Sequence, residues 1–420
     1  MAKLDTLPAQ ANQIEQIGSV DLVVGLVDQQ SNTNLNTIAA AIRKGLERLS
    51  GPTRTALVFR DASGPAPDPE PVDIHKDESL QLLPYSLPSA DSSVTLLPSI
   101  SGAYQSVCEI SQKLGARACV VIVSAPESLT PEWVHNFVQP ILNGGFDLVT
   151  PCYEPNRFEG LLNGAIVSPL TRAVYGKQIQ NPWGPDLGFS AGLLERVVQA
   201  DSGRTKGAGM RQFPLIGIEA IISGLKVCQS HVGRRIYPPV DWKNLDSVLA
   251  EVLDPLFFAI ERDAPFWQHV RKSEPVPTFG NASPLSNGAV VVDVPRLLEP
   301  FKLGISNLQE IWGLVLPPAA LFELRKVGRL PPEEFRIPDE LWVRITYDFA
   351  LAYRLRTIAR DHLLRSLTPL YLGWIASYAI GVEAVDSLAV QKRWERLCGA
   401  YETEKPYFVS RWRWPDRFNP

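Results

Sequence analysis

The chain has 420 residues, 45% of them hydrophobic and 20% charged, with a formal net charge of -4. That length can bury a full core and that composition is globular, which excludes disorder as the default state. A mildly acidic chain is a poor neutraliser of phosphate backbones, which argues against nucleic acid as a partner.

The first residues, MAKLDTLPAQANQIEQIG, lack an apolar stretch behind a basic one, so no export signal is expected and the predicted location is cytoplasmic. Residues 20–27, VDLVVGLV, read as a strand, followed by a polar loop and a helix over 35–49 with apolar residues at three- and four-residue steps. A second strand, 55–59, ends in Arg60 and Asp61 and enters a Pro- and Asp-rich loop over 65–73. A helix over 104–114 leads to ACVVIV, 118–123, the continuous apolar run of a strand buried on both faces. Thr130, Pro131 and Glu132 then form a helix start: a hydroxyl to accept from a first-turn amide, a proline whose missing N–H costs nothing there, and an acid against the positive end. This repeated strand-loop-helix order predicts an α/β fold with a mostly parallel, doubly wound sheet, in which ligands bind beyond the carboxyl ends of the strands.

Further along, 163–188 reads as a helix followed by an irregular ordered loop. Residues 220–229 read as a helix ending at Gly224 and a short strand, and 246–270 as one long amphipathic helix. Pro-containing linkers over 273–284 and 327–338 bracket helical segments. A helical region over 339–366 carries Arg344, Arg354, Arg356, Arg360 and Arg365, expected mainly as a solvated face. The apolar stretch 369–385 is too short for a membrane span and is expected as a buried helix. The predicted division is a sheet domain, 1–270, and a helical extension, 271–420.

No GxGxxG or GxxxxGK[ST] pattern follows any expected strand, so neither a dinucleotide fold nor a P-loop enzyme is supported. Five cysteines without CxxC spacing are expected to be reduced, and five histidines without HxH or HExxH spacing offer no metal site. Residues 188–192 match GxSxG, but NPWGPDL precedes them instead of an apolar strand; Ser190 is expected to cap a helix beginning at Ala191.

Several long blocks carry a family resemblance: VDLVVGLV; SLTPEWVHNFVQPILNGGFDLVTPCY; SPLTRAVYG with NPWGPDLGFS; and LWVRITYDFALAYR with LLRSLTPLYLGWIASY. They resemble the retaining GT-A glycosyltransferases that make glucosylglycerate, relatives of glucosyl-3-phosphoglycerate synthase and mannosylglycerate synthase, and the resemblance spans nearly the whole chain. It implies a Rossmann-like GT-A sheet for a nucleoside-diphosphate sugar, a helical C-terminal extension, and transfer of glucose with retention to glycerate or a similar small hydroxy acid. In that family Mg²⁺ or Mn²⁺ offsets the charge that the departing diphosphate gains, held by an Asp-x-Asp pair at a strand end. Here the resemblance puts that pair on Val123 and Ala125 and a further ligand on Tyr237, so no metal and no other cofactor is expected.

The same resemblance implies roles for individual residues. Asp186 occupies the catalytic position. Asp61, Ser101, Gly102, Glu127, Arg234 and Arg235 fall on the nucleotide-sugar side, and Arg157, Asn163, Arg172, Trp183 and Gly184 on the acceptor side. Arg234, Arg235 or Arg157 could answer a diphosphate in place of an ion, because guanidinium binds phosphate at two points. Scaffold roles stand beside these: Asp61 capping a turn, Arg172 paired within a helix, Asp186 holding its own loop, Glu127 facing a helix dipole. Two functions therefore stay open. One is a metal-independent glycosyltransferase; the other is a degenerate paralogue serving as a binding, regulatory or scaffold subunit, as a homodimer or with an active relative.

Overall fold

A computed structural model of the chain describes residues 8–29, 32–60, 79–85, 96–154, 156–202, 215–235, 244–282, 292–383 and 385–415. The expected loop at 65–73, together with Asp61 and Tyr237, lies outside these residues. The elements begin with α1 (Pro8–Ile17), β1 (Leu22–Gln29), α2 (Asn32–Leu46), β2 (Thr55–Arg60), β3 (Leu80–Tyr85), α3 (Leu96–Lys113), β4 (Ala118–Ile122), α4 (Pro131–Leu142) and β5 (Leu148–Tyr153). A π-helical turn, Asn163–Val167, runs into α5 (Ser168–Tyr175) and β6 (Lys177–Gln178). Next come β7 (Leu187–Ser190), α6 (Ala191–Ser202), α7 (Ile216–Ile222), β8 (Val227–Gly233), α8 (Leu245–Arg262), α9 (Ala264–Trp267), β9 (Glu274–Pro275) and β10 (Thr278–Phe279). The rest is helical: α10 (Val294–Asn307), α11 (Gln309–Val315), α12 (Pro318–Val327), α13 (Asp339–Leu355), α14 (Arg360–Ser366), α15 (Thr368–Val382) and α16 (Ser387–Arg413).

The chain forms two compact units, one of Met1–Glu154, Gln180–Tyr237 and Val276–Ser283, the other of Pro155–Ile179, Pro238–Pro275 and Pro284–Pro420. These units interleave, whereas a single boundary after residue 270 was the expectation. The physical reason is that α5 and α8 find their partners among the later helices: Arg172 on α5 pairs with Glu395 and Glu402 on α16, and Asp254 on α8 accepts from the Tyr353 hydroxyl on α13 at 2.6 Å.

The first unit is built on an eight-stranded sheet of order β10-β8-β5-β7-β4-β1-β2-β3, parallel throughout except for β7. All five residues of β4 and all six of β5 are buried, as strands covered on both faces require. Helix α4 starts where its sequence predicts, with the Thr130 hydroxyl accepting from the Trp133 amide at 3.1 Å and Pro131 in the first turn. Its Trp133, Val134, Phe137, Val138 and Ile141 fall at helical spacing into the core formed with Leu22, Val24 and Val120. The short strand β7 escapes sequence reading: only four residues long, it sits inside what reads as an irregular loop and slots antiparallel between β4 and β5.

In the second unit α15 is buried over most of its length, as expected of 369–385. Its aromatic packing includes Trp342 against Trp374 and Tyr347 stacked on Phe408 at 4.5 Å. Two expected long helices are broken. Residues 246–270 split at Asp263, where Pro265 follows, and 339–366 split at Arg356, which takes the left-handed conformation with φ 54° and ends α13. The arginines of that region are tied down more than a solvated face would be: Arg344 to Glu404, Arg360 to Glu261, Arg365 to Asp361, and Arg354 to the Trp412 carbonyl. No helix among the described residues is long and apolar enough to cross a membrane. All five cysteines are free thiols.

A close approach of α3 to β1 fixes one residue type. A Cβ on Gly25 would lie 2.2 Å from Val107 Cγ1, so Gly25→Ala should cost about 1–3 kcal/mol by overpacking. Chemical denaturation measures it, and Val107→Ala in the same chain should recover part of the loss.

Candidate functional site at the carboxyl end of β4

In the first unit β1, β2, β4 and β5 are mutually parallel, so their carboxyl ends open on one edge of the sheet, the usual ligand side. β7 enters from that edge. Its first residue, Leu187, pairs with Val121, so the preceding residue, Asp186, sits beside the last turn of β4. At the same level β5 has lost contact with β7, whose pairing with it covers only Leu148 and Val149.

Asp186 closes this gap. Its side chain is fully buried, and one carboxylate oxygen accepts the amides of Val123 and Ser124 at 2.7 and 2.9 Å. The other accepts the Ser124 hydroxyl at 2.5 Å and the Tyr153 hydroxyl, from the end of β5, at 2.7 Å. Four donors saturate a carboxylate's ordinary capacity. No salt bridge reaches it among the described residues. The charge is held by oriented N–H and O–H dipoles, an arrangement worth far more in a dry interior than in water.

The neighbouring phenols adjust to that charge. Burial pushes the Tyr153 hydroxyl well above its usual range, and the Asp186 charge pushes the same way. Tyr104, on α3, is raised for the same two reasons and donates to the Pro185 carbonyl at 2.6 Å, so it fixes the residue before the aspartate. Both phenols stay neutral donors over the physiological range.

The loop leading to Asp186 is packed tightly against β5 and α7. A Cβ on Gly184 would meet the Pro151 ring at 2.5 Å, and one on Gly217 would meet the Pro182 carbonyl at 2.5 Å. Asn181 donates to the Pro151 carbonyl at 3.0 Å and accepts the Gly184 amide through its own carbonyl. Glycine at 184 is thus demanded by strand packing. Trp183 differs: it is half-buried, and its enclosed indole N–H has no hydrogen-bond partner.

Of the other nucleotide-side residues, Arg235 stacks its guanidinium over the Tyr153 ring at 5.4 Å, and Arg234 and Glu127 are exposed. Ser101 and Gly102 lie inside α3, where their amides belong to the helical ladder, and the Gly102 carbonyl accepts from the Ser106 hydroxyl at 3.0 Å. A phosphate-cradling loop is therefore not formed by that segment. Val123 and Ala125 put apolar side chains at the strand end, and no group of three His, Cys, Asp or Glu able to hold a metal occurs among the described residues. With Asp186 saturated as well, the described residues at the end of β4 do not fit a divalent ion.

Arg157, Asn163 and Arg172 belong to the second unit. Arg157 donates to the carbonyls of Val382, Glu383 and Val385, closing the end of α15, and Arg172 is held between Glu395 and Glu402. Asn163 opens the π-helical turn, whose Ala165 carbonyl takes both the Trp342 indole and the Tyr401 hydroxyl. Ser190 does cap α6, accepting from the Leu193 amide while donating to Asp147, so it is occupied by its helix. Sequence reasoning missed Ser124, Tyr153 and Tyr104, which lie 62, 33 and 81 residues from their partners in the 185–186 segment. Only the pairing of β7 brings them together, and a four-residue strand leaves little periodic signal.

No family model matches the chain, and no curated protein matches it. Among solved structures it is similar to glucosyl-3-phosphoglycerate synthase from Mycobacterium tuberculosis in complex with Mn²⁺, UDP-glucose and phosphoglyceric acid, at 16% identity over 63% of this chain and 91% of that one, TM-score 0.36. It is also similar to mannosyl-3-phosphoglycerate synthase from Rubrobacter xylanophilus, at 11% identity over 62% and 80%, TM-score 0.40. A third similar structure is a mycobacterial protein at 18% identity over 59% and 78%, TM-score 0.35.

The donor cage makes Asp186 a test of stability. Asparagine can keep both amide bonds and let the two hydroxyls turn to accept, so Asp186→Asn should cost about 1–3 kcal/mol. Asp186→Ala strands four donors and should cost about 3–5 kcal/mol, read by urea denaturation. Equal and small effects of the two would contradict the cage.

Proposed function

We propose that this chain is a glycosyltransferase-like protein that binds a nucleoside-diphosphate sugar at the carboxyl edge of its sheet without a divalent cation. Support for the sugar nucleotide comes from the ordered sequence blocks that resemble the glucosylglycerate-forming enzymes. The observation that carries metal independence is the saturated carboxylate of Asp186, which spends the polar groups at the end of β4 on the fold itself.

On this reading Asp186 is a positioning residue, and Arg234 and Arg235 answer the diphosphate. When the bond between the anomeric carbon and the diphosphate oxygen breaks, the electron pair leaves with the diphosphate, and two guanidiniums stabilise that charge by two-point hydrogen bonds. The Trp183 indole N–H, which has no protein acceptor among the described residues, supports this reading as a further donor on the loop before Asp186. The acceptor is a small hydroxy acid of the glycerate type, and the protein works inside the cell.

A second reading is a degenerate paralogue that keeps the fold as a binding or regulatory subunit. It is favoured by one set of contacts: Arg157 and Arg172, assigned by the resemblance to the acceptor side, are both consumed by the second unit's own carbonyls and carboxylates.

Calorimetric titration with UDP-, GDP- and ADP-glucose, in EDTA and in Mg²⁺ or Mn²⁺, separates these. The proposal expects one of them to bind with the same affinity in both media, a loss of roughly tenfold or more in Arg235→Ala, and glucosyl transfer to glycerate. Binding without transfer leaves the subunit reading. Absence of binding to every nucleotide sugar contradicts the proposal.

A further inference from the structure

Tyr407 and Arg411 stand one turn apart on α16, and both reach one carboxylate of α13. That carboxylate, Asp348, is only 1% exposed. The Tyr407 hydroxyl donates to it, 2.9 and 3.0 Å from its two oxygens, and Arg411 Nη1 pairs with it at 3.0 Å. Arg411, itself buried, also donates to the Tyr407 oxygen at 2.9 Å, which closes a triangle of three side chains. Arg344, one turn before Asp348, lies over the Tyr407 ring at 5.0 Å and is bonded to Glu404 of α16 at 2.7 Å. α8, α11, α12 and α14 also pack on α13, and none of their charged side chains bonds to Asp348 among the described residues. Asp254 and Glu261 of α8 are taken by Tyr353 and by Arg360 of α14. On either side of Arg411, Phe408 and Trp412 rest on Trp267, so the triangle sits where α16 makes its last contacts before ending at Arg413.

Two effects compete at Asp348. Burial favours the neutral acid and the ion pair favours the carboxylate, and a buried pair often returns less than its desolvation costs. Burial prevails here, pushing the carboxyl up to about 7 against the pull of Arg411, the Tyr407 hydroxyl and Arg344. Tyr407 is itself raised by burial and stays a neutral donor.

We propose that this triangle is a pH-sensitive latch: the last turns of α16 are held against α13 while Asp348 is protonated, and they loosen when it ionises. In the loosened state the carboxyl meets water and titrates at an ordinary value of about 3.9. The hold is thus complete below that value and is lost as pH rises through about 7. Linkage makes the loosened fraction rise about tenfold between pH 6 and 8 and level off above. Lys405, two residues before Tyr407, donates to the Val174 and Val270 carbonyls and is pulled down to about 8 by burial. Its titration favours loosening at lower pH, so it opposes the trend and cannot mimic it. The latch is independent of the sugar-nucleotide reading, because every residue in it belongs to the second unit.

Hydrogen–deuterium exchange of the full chain from pH 5 to 9, each rate divided by its intrinsic rate at that pH, tests the latch at the amides of 407–413. Wild type should show the tenfold rise between pH 6 and 8. Asp348→Asn keeps the size and removes the titration, so its protection should not vary with pH. Tyr407→Phe removes a bond that favours the carboxylate and should move the rise to higher pH. The proposal is overturned by a flat wild type, by a rise that survives in Asp348→Asn, or by a midpoint that Tyr407→Phe leaves in place; the first criterion needs no variant to fold.

Discussion

The carboxylate of Asp186 holds the first unit together where its sheet is weakest. β7 keeps β4 and β5 apart as neighbours, yet it is only four residues long, and beyond Leu187 nothing from the ladder joins them. A buried charge is normally a liability, with an effective cost of several kcal/mol. Here two amides and two hydroxyls converge on it, and the same four bonds tie the end of β4 to the end of β5. Tyr104 extends the network to α3 through the Pro185 carbonyl. Because each donor depends on the others being in place, the strand ends, the loop 180–186 and α3 are positioned as one piece.

That network also decides what chemistry the edge can support. In an open α/β sheet the amides and side chains at a central strand's carboxyl end are the usual contacts for a ligand or ion. In this chain the Val123 and Ser124 amides are already committed, and the side chains at 123 and 125 are apolar. Outside the cage, the described residues assigned to this edge include Arg234, Arg235 on the Tyr153 ring, Glu127 and the Trp183 N–H.

Legibility from sequence followed the length and regularity of each element. β4 and α4 are plain in ACVVIV and in Thr130-Pro131-Glu132, because a doubly buried strand and a capped helix write themselves in consecutive residues. Short or interrupted elements are not: β7 hides in a loop-like Gly- and Pro-rich stretch, and the breaks at Asp263 and Arg356 come from backbone geometry that apolar spacing does not encode. At the site, WGPDLG drew attention to Asp186, with catalysis and loop-holding both open, and the structure places its carboxylate in a cage of protein donors. Its partners Ser124 and Tyr153 carry no local signal, since a hydroxyl becomes informative only once strand pairing brings it to the carboxylate. Arg157 and Arg172, put on the acceptor side by the resemblance, contact helix-end carbonyls and glutamates, partners far away in sequence that no local pattern announces.

The central claim is that Asp186 is a structural tie, occupied by protein donors and not offered to an ion. Anomalous diffraction from crystals soaked with Mn²⁺ and a nucleotide sugar tests it most directly. The account predicts no Mn²⁺ within coordination distance of the Asp186 carboxylate, with its bonds to Ser124 and Tyr153 intact. A Mn²⁺ ion ligated by that carboxylate, with those bonds broken, would contradict it.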